Sequence, residues 1–369
     1  MKYKLPKTLA ALLALSMLTA CGTAKTSTAE TAETAETETA AVTTSAAAAT
    51  DDASESTDLF TDRDLTQTPD LTDAETVTLS DGDTITITDA GVYVLSGAAK
   101  NAQVIVECAE DAKVQLVLDG VTVTNDSLPA IYVKSADKVF VTTTDSDNAL
   151  AVTGTFTADG DTNTDAVIFS KDDLVLNGTG TLKLSSTDNA VTSKDDLKVT
   201  GGTYEITCAS HGLEANDGAY ISGGTLTISA GECIEATYVY VCGGTLTLSA
   251  TDDGINATYQ TEDAAEPCVE IAGGDITITM AQGDTDAIDS NGSILVSGGT
   301  VNITAQFAFD FLTTASHTGG TITVNGQTVD EITESMMMGG GMGGMGGQMP
   351  GGNGQMPGGM PGHGGQRPA

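Results

Sequence analysis

The chain has 369 residues, with 51 acidic and 14 basic side chains, a formal net charge of -37, no tryptophan and 4% aromatic residues. A field of that sign repels polyanions, which excludes direct binding of nucleic acid and of anionic membrane surfaces unless a cation intervenes. With so few aromatics a core must be aliphatic, and Thr, Val, Ile and Leu in period-two runs favour strands over helices.

The N-terminus reads as a processing signal. Lys2, Lys4 and Lys7 precede an apolar stretch from Leu9 to Leu18 that is too short to span a bilayer as a helix, and the segment ends in Leu18-Thr19-Ala20-Cys21-Gly22. That ending looks like a bacterial lipobox, with residues 1–20 removed and the thiol of Cys21 acylated, so the lipid is expected to be the sole membrane attachment. Residues 21–60 are Thr, Ala and Glu with too few large apolar side chains to offset ordering entropy, and are expected to form a flexible tether. The other cysteines, Cys108, Cys208, Cys233, Cys242 and Cys268, have no CxxC or CxxxH spacing and read as small apolar fillers.

Residues 61–335 carry a repeat. The segments VYVLSG, VIVEC, VQLVLDGVTVTN and IYVKSADKVFVTT alternate loosely, and a glycine pair followed by an apolar alternation then recurs at Gly201, Gly223, Gly243, Gly273, Gly298 and Gly319. Such a period marks a solenoid. Ten positions before the first glycine of a coil stands an apolar residue (Ile168, Val191, Leu213, Ile288, Phe309), and Ile234 stands nine before Gly243. After each pair come Tyr204 and Ile206, Leu226 and Ile228, Leu246 and Leu248, Ile276 and Ile278, Val301 and Ile303, Ile322 and Val324, with polar residues between them facing solvent. These inward ladders predict an all-β parallel β-helix of about ten coils stacked at roughly 4.8 Å. Ile255 stands eighteen residues before Gly273, so the stretch around Tyr259 to Pro267, with Glu262 and Asp263, is expected to leave the coil as a loop.

Directly after the inward ladder comes an outward row of Glu214, Glu235, Asn256, Asp289 and Asp310, with Glu232, Asp253 and Asp286 two positions before the ladder and Asp252 and Asp284 beside them. Like charges about 5 Å apart repel by about 1 kcal/mol in water and by several at low effective dielectric. From Val199 to Ser335 there are nineteen Asp and Glu and no Lys or Arg, so the row calls for protonation or an external cation. Calcium suits abundant, closely spaced oxygen ligands, and the expected ligands are Asp252, Asp253, Asn256, Asp284, Asp286, Asp289, Asn291, Glu214 and Glu235. Asp and Asn also occupy corners for turn hydrogen bonding alone, and neither an EF-hand nor a β-roll nonapeptide is present. A second outward row reads Lys198, Tyr220, Tyr240, Glu270 and Leu295. Its tyrosines offer a flat surface for a sugar ring, although tyrosines also stabilise sheets by packing on neighbours. With Tyr259, Glu262 and Asp263 of the loop, Tyr220 and Tyr240 are the expected carbohydrate contacts. Residues 336–369 are rich in Gly, Met, Pro and Gln and read as a disordered tail, although Met342, Met345 and Met349 have a spacing compatible with Cu(I).

The runs DGINA and DAIDSNGSILVSGGTVNI, the glycine-pair ladders, the lipobox and the tail together resemble the bacterial calcium-associated β-helix carbohydrate-binding family, over roughly residues 60–335. Members of that family resemble pectate-lyase-type polysaccharide lyases and are described as binding cellulose and polygalacturonate. The resemblance implies a right-handed parallel β-helix, calcium on the acidic coil edges and an extracellular polysaccharide partner, but transfers no individual sugar contact. The chain is expected to be an extracellular, lipid-anchored monomer. A lyase needs a Lys or Arg base beside calcium, and Lys171, Lys183, Lys194 and Lys198 lie on coils before the Asp252 to Asn291 cluster. Binding is therefore favoured over elimination, with a structural adhesin as the third reading.

Overall fold

A computed structural model describes residues 59–334 apart from Glu262, Asp263 and Asp284. Cys21, the signal, the tether up to residue 58 and the methionine-rich tail lie outside the described residues, as do Glu262 and Asp263 of the expected sugar contacts and Asp284 of the expected calcium ligands.

Among the described residues every regular element is a strand. Each coil gives one strand to a ten-stranded sheet that runs from Thr84–Ile87 to Phe307–Phe311, and the remaining strands form an eighteen-stranded sheet that folds over a corner. Pairing between coils is parallel throughout. The C-terminal edge is closed by an antiparallel hairpin of Thr321–Val324 with Gln327–Val329. The domain is thus an all-β solenoid of about ten coils, as the repeat predicts.

Register follows the hydrophobic pattern because one face of each strand is buried, and a slip of one residue would expose it. Ile168, Val191, Leu213, Ile234, Ile255, Ile288 and Phe309 pair in succession, and all are buried. Leu226, Leu246, Ile276, Val301 and Ile322 form the second ladder. Val239, Val269 and Ile294 form a third, reached through a corner so tight that Tyr238–Ala250 and Cys268–Met280 each pass over it as one strand of 13 residues. Glycine is required at that corner: Gly244 has φ +88°, and a Cβ there would stand 3.0 Å from the Gly223 carbonyl oxygen of the previous coil.

Outside the third ladder, residues 59–67 cross the sheet. The Arg63 guanidinium lies 4.5 Å above the Phe140 ring, and Asp64, fully buried, sits 3.5 Å from Lys138 Nζ and 3.6 Å from Lys198 Nζ. Lys198 also donates to the Leu59 carbonyl at 2.7 Å. Gln67 accepts from the Gly178 N–H at 2.8 Å and donates to the Thr200 carbonyl at 3.1 Å. Leu59 and Phe60, placed in the tether by composition, therefore belong to the packed structure, and Lys198 is buried beneath them instead of facing solvent.

Asp64→Ala removes the buried carboxylate facing two lysines whose side chains are each 11% exposed, leaving Lys138 with Asp173 at 3.5 Å and Lys198 with the Leu59 carbonyl. The expected loss is about 1–3 kcal/mol in chemical denaturation, because each ammonium keeps one acceptor but loses its buried counter-charge. Asp62→Ala, on the exposed side of the same segment, should stay within about 0.5 kcal/mol of the parent.

Candidate functional site

On the outer face of the ten-stranded sheet, Phe169, Thr192, Glu214, Glu235, Asn256, Asp289 and Asp310 stack in one register, the first five of them buried. The lack of Lys and Arg after Val199 suggests that these carboxylates have no cation of their own, and the structure corrects this for two of them. Glu214 accepts from Lys194 Nζ at 3.1 Å, from Asn189 Nδ2 at 2.7 Å and from Thr192 Oγ1 at 2.8 Å. Glu235 lies 2.9 Å from His211 Nε2, and Glu232 lies 3.8 Å from the same nitrogen. His211 pairs with Glu232 in the strand register, so it occupies the row of Glu232 one coil earlier. Counting only Lys and Arg hides it.

This cluster is tightly held. Burial acts to lower the His211 pKa, but Glu232 and Glu235 outweigh it and raise it to about 10. Glu235 is opposed by burial yet drawn down to about 2 by His211 and its remaining hydrogen bonds, and Glu232 is raised by burial and by its ionised neighbour. The assignment of the charge to Glu235 agrees with its shorter contact to the imidazole. The Gln260 amide donates to Glu235, and Asn256 Nδ2 donates to Glu232 at 2.9 Å. Among the described residues, His211, Glu232 and Glu235 are a set whose ligating atoms all lie within 4.8 Å of one another.

Farther along the row the compensation ends. Asp289 is pushed up to about 7 by burial and then by Asp253, Asp310 and Asp286. Asp253 is pushed up to about 6 by burial, while the Asp286 N–H that it accepts at 3.0 Å acts the other way. Of the expected calcium ligands, the structure groups Asp253, Asp286 and Asp289, with Asp310 added and Asp252 exposed beside them. Asn291 is exposed and donates to Thr258 Oγ1 at 2.6 Å on the coil corner. Another acidic group, not anticipated from sequence, gathers on successive corners: Asp196 is raised to about 7 and Asp195 to about 6, by burial first and then by Asp173 and Asp217. It lies in the turns between ladders, where the repeat gives no periodic cue.

The tyrosine row also differs from expectation. Tyr220 and Tyr240 are register partners, but Tyr220 stands edge-on to Phe60 at 6.5 Å and to Tyr238 at 5.9 Å. The flat platform is Tyr238 stacked on Tyr240, 6.2 Å apart with 13° between the rings, and the Tyr238 hydroxyl donates to Glu270 at 2.5 Å. Glu232–Ala236 ends two residues before Tyr238, so the platform and the His211 cluster flank one corner. Tyr259, 53% exposed, projects from the inserted stretch, next to the Gln260 that holds Glu235.

A family described as carbohydrate-binding domain-containing proteins matches residues 81–326. A protein of the same description from Acetivibrio thermocellus is 36% identical over 120 residues, 31% of this chain and 42% of that protein, so the chain spans less than half of that relative. A solved structure, described as the polysaccharide lyase-like protein from C. thermocellum in a gadolinium derivative, is similar with a TM-score of 0.53 and 26% identity, over 66% of this chain and 98% of that one.

The acidic row sets the sign of a pH dependence in metal-free buffer. Asp253 and Asp289 are raised above unfolded carboxylates, so their stabilising contribution is full below about 4 and is lost as pH rises through about 6 to 7. His211 contributes fully below about 6.5 and loses its contribution as pH rises toward 10. The depressed Glu235 contributes above about 4.3 and loses its share only toward 2. The melting temperature in chelator should therefore climb as pH is lowered from about 8 to 5.5. Asp289→Asn should raise the value at pH 8 and flatten the slope, and a parent-like slope in that variant would refute the assignment.

Proposed function

This chain belongs to the family of carbohydrate-binding domain-containing proteins, and from that premise we propose that it is a lipid-anchored surface protein that binds acidic extracellular polysaccharide through calcium. The observation that carries this reading is the grouping of Asp253, Asp286, Asp289 and Asp310, where burial first and the neighbouring carboxylates second raise Asp289 to about 7. The donor set is all oxygen, which fits a hard cation. Calcium there supplies positive charge to the row and to a uronate carboxylate. Without it, a protein of net charge -37 repels such a polymer.

The residues of the chain do the remaining work. Tyr238 and Tyr240 offer parallel ring faces on which the apolar side of a sugar rests, and Tyr259 stands exposed across the corner. The lysines considered as bases for elimination are engaged elsewhere: Lys194 with Glu214, Lys183 with Glu205 at 2.8 Å, Lys198 under residues 59–67, and Lys171 at 6.0 Å over the Tyr132 ring. Proton abstraction needs a base within hydrogen-bond reach of its target, so the site is read as a binding site. Acylated Cys21 fixes the protein to the outer surface of the cell membrane.

Pull-down on polygalacturonate should succeed in millimolar calcium and fail in chelator, with no rise in the absorbance of unsaturated uronate products. Asp286→Asn with Asp289→Asn should abolish calcium-dependent retention, and Tyr240→Ala should weaken it by about 1 kcal/mol, roughly fivefold in Kd. Retention on cellulose but not on polygalacturonate, insensitive to chelator, would replace the bridging mechanism with simple stacking on the tyrosines. Cys21→Ser should move the processed protein from the membrane fraction to the medium, and retention in the membrane would require another anchor.

A further inference from the structure

We propose that His211, Glu232, Glu235 and Asn256 form a site for a divalent transition-metal ion of the zinc class, distinct from the all-oxygen aspartate group assigned to calcium. The site does not rest on the polysaccharide reading. Its ligating atoms already converge: the imidazole Nε2 lies 2.9 Å from a Glu235 oxygen and 3.8 Å from a Glu232 oxygen, within a set spanning no more than 4.8 Å. Asn256 provides an independent observation. It is 8% exposed and sits beside Glu235 in the next coil, with its Nδ2 donating to Glu232, while its Oδ1 is buried without a hydrogen-bond partner. A buried amide oxygen requires a donor or a cation, and this one shares a planar head group with the nitrogen that already touches the cluster.

The surrounding residues orient the ligands as metal sites require. Asn189 Oδ1 accepts from the His211 backbone N–H at 3.0 Å and lies 3.0 Å from His211 Nδ1. An amide oxygen only accepts, so Nδ1 carries a hydrogen and Nε2 is the nitrogen turned to the glutamates, which binds the metal by releasing its own proton to solvent. Gln260 holds the second oxygen of Glu235, and Asn256 holds the second oxygen of Glu232. These are the outer contacts that fix tautomer and carboxylate direction around a bound metal. Calcium and magnesium take oxygen ligands, whereas an imidazole nitrogen with two carboxylates suits zinc and its neighbours. The side chains are 23%, 15% and 12% exposed, so solvent reaches the site and can complete the coordination shell.

The test is titration of zinc chloride into the full chain in millimolar calcium, followed by calorimetry, with cobalt absorption as the second readout. Saturable zinc binding that survives excess calcium is expected, and cobalt should give visible ligand-field bands of a nitrogen-containing, low-coordinate site that zinc abolishes. Gln260→Ala, a change on the inserted stretch outside the strands, should weaken zinc binding by about 10–100-fold, and His211→Gln should remove it. Displacement of zinc by equimolar calcium, cobalt bands of an all-oxygen octahedral ion, or parent-like zinc affinity in His211→Gln would each overturn the proposal. Calcium-dependent retention on polygalacturonate is measured separately, so failure of either site leaves the other standing.

Discussion

Parallel stacking at one fixed register is the constraint from which the rest of this structure follows. Each coil sets its residues on the equivalent residues of the coil before it, at about 4.8 Å, because the backbone N–H and C=O groups of one strand are paired by the next. Identical positions must therefore tolerate one another along the whole stack. For Ile255 and Ile288 this is favourable, since apolar side chains interdigitate and leave water. At Gly223 and Gly244 it is restrictive, since a carbonyl of one coil stands where the Cβ of the next would be. For carboxylates it is repulsive, and the outward row exists only because each coil handles that repulsion in some way.

The way changes along the row. Glu214 has a lysine from the preceding coil, Glu235 and Glu232 share one histidine, and Asn256 replaces charge with an amide. Asp289 and Asp253 have their pKa values raised instead. Intrinsic cations thus give way to a shared imidazole and then to carboxyls that are partly protonated near neutrality. A cation from solvent gains most where the chain provides least, which is why a hard ion is assigned to the aspartates. The softer imidazole-containing set belongs to another class of metal.

The ladders were legible in the sequence because burial imposes period two within a strand and a fixed offset from each glycine pair. Val191 and Leu213, and again Ile288 and Phe309, stand at that offset and pair in register. What escaped was either aperiodic or chemically miscounted. Residues 59–67 have no repeat, and Asp64 finds Lys138 and Lys198 across a large sequence separation that no local pattern encodes. Leu59 and Phe60 therefore read as the end of a polar tether. His211 did carry a signal, since it is spaced from Glu232 as Glu232 is from Asp253, but a search for Lys and Arg passes over an imidazole whose charge depends on its neighbours. Tyr238 shares the outward parity of Tyr240 but stands at the first residue of its strand, where the glycine-anchored row does not extend.

The corner after Glu232–Ala236 joins these features. On one side lie Glu235 and His211, on the other Tyr238 and Tyr240, and the inserted stretch after Ile255–Ala257 returns over it to place Gln260 on Glu235. A ligand seated on the tyrosines therefore meets the acidic row within the reach of a corner, not across the thickness of the solenoid. Such an arrangement separates two tasks that conflict on a flat surface. Apolar stacking needs an uncharged platform, and residues 59–67 help provide one by burying Lys198 under Phe60 beside Tyr220. Charge recognition needs carboxylates close enough to share an ion, which the strand spacing supplies without further design. Because both depend on coil-to-coil register, a change that shifts one rung, such as a side chain at Gly244, disturbs platform and row together even though it touches neither.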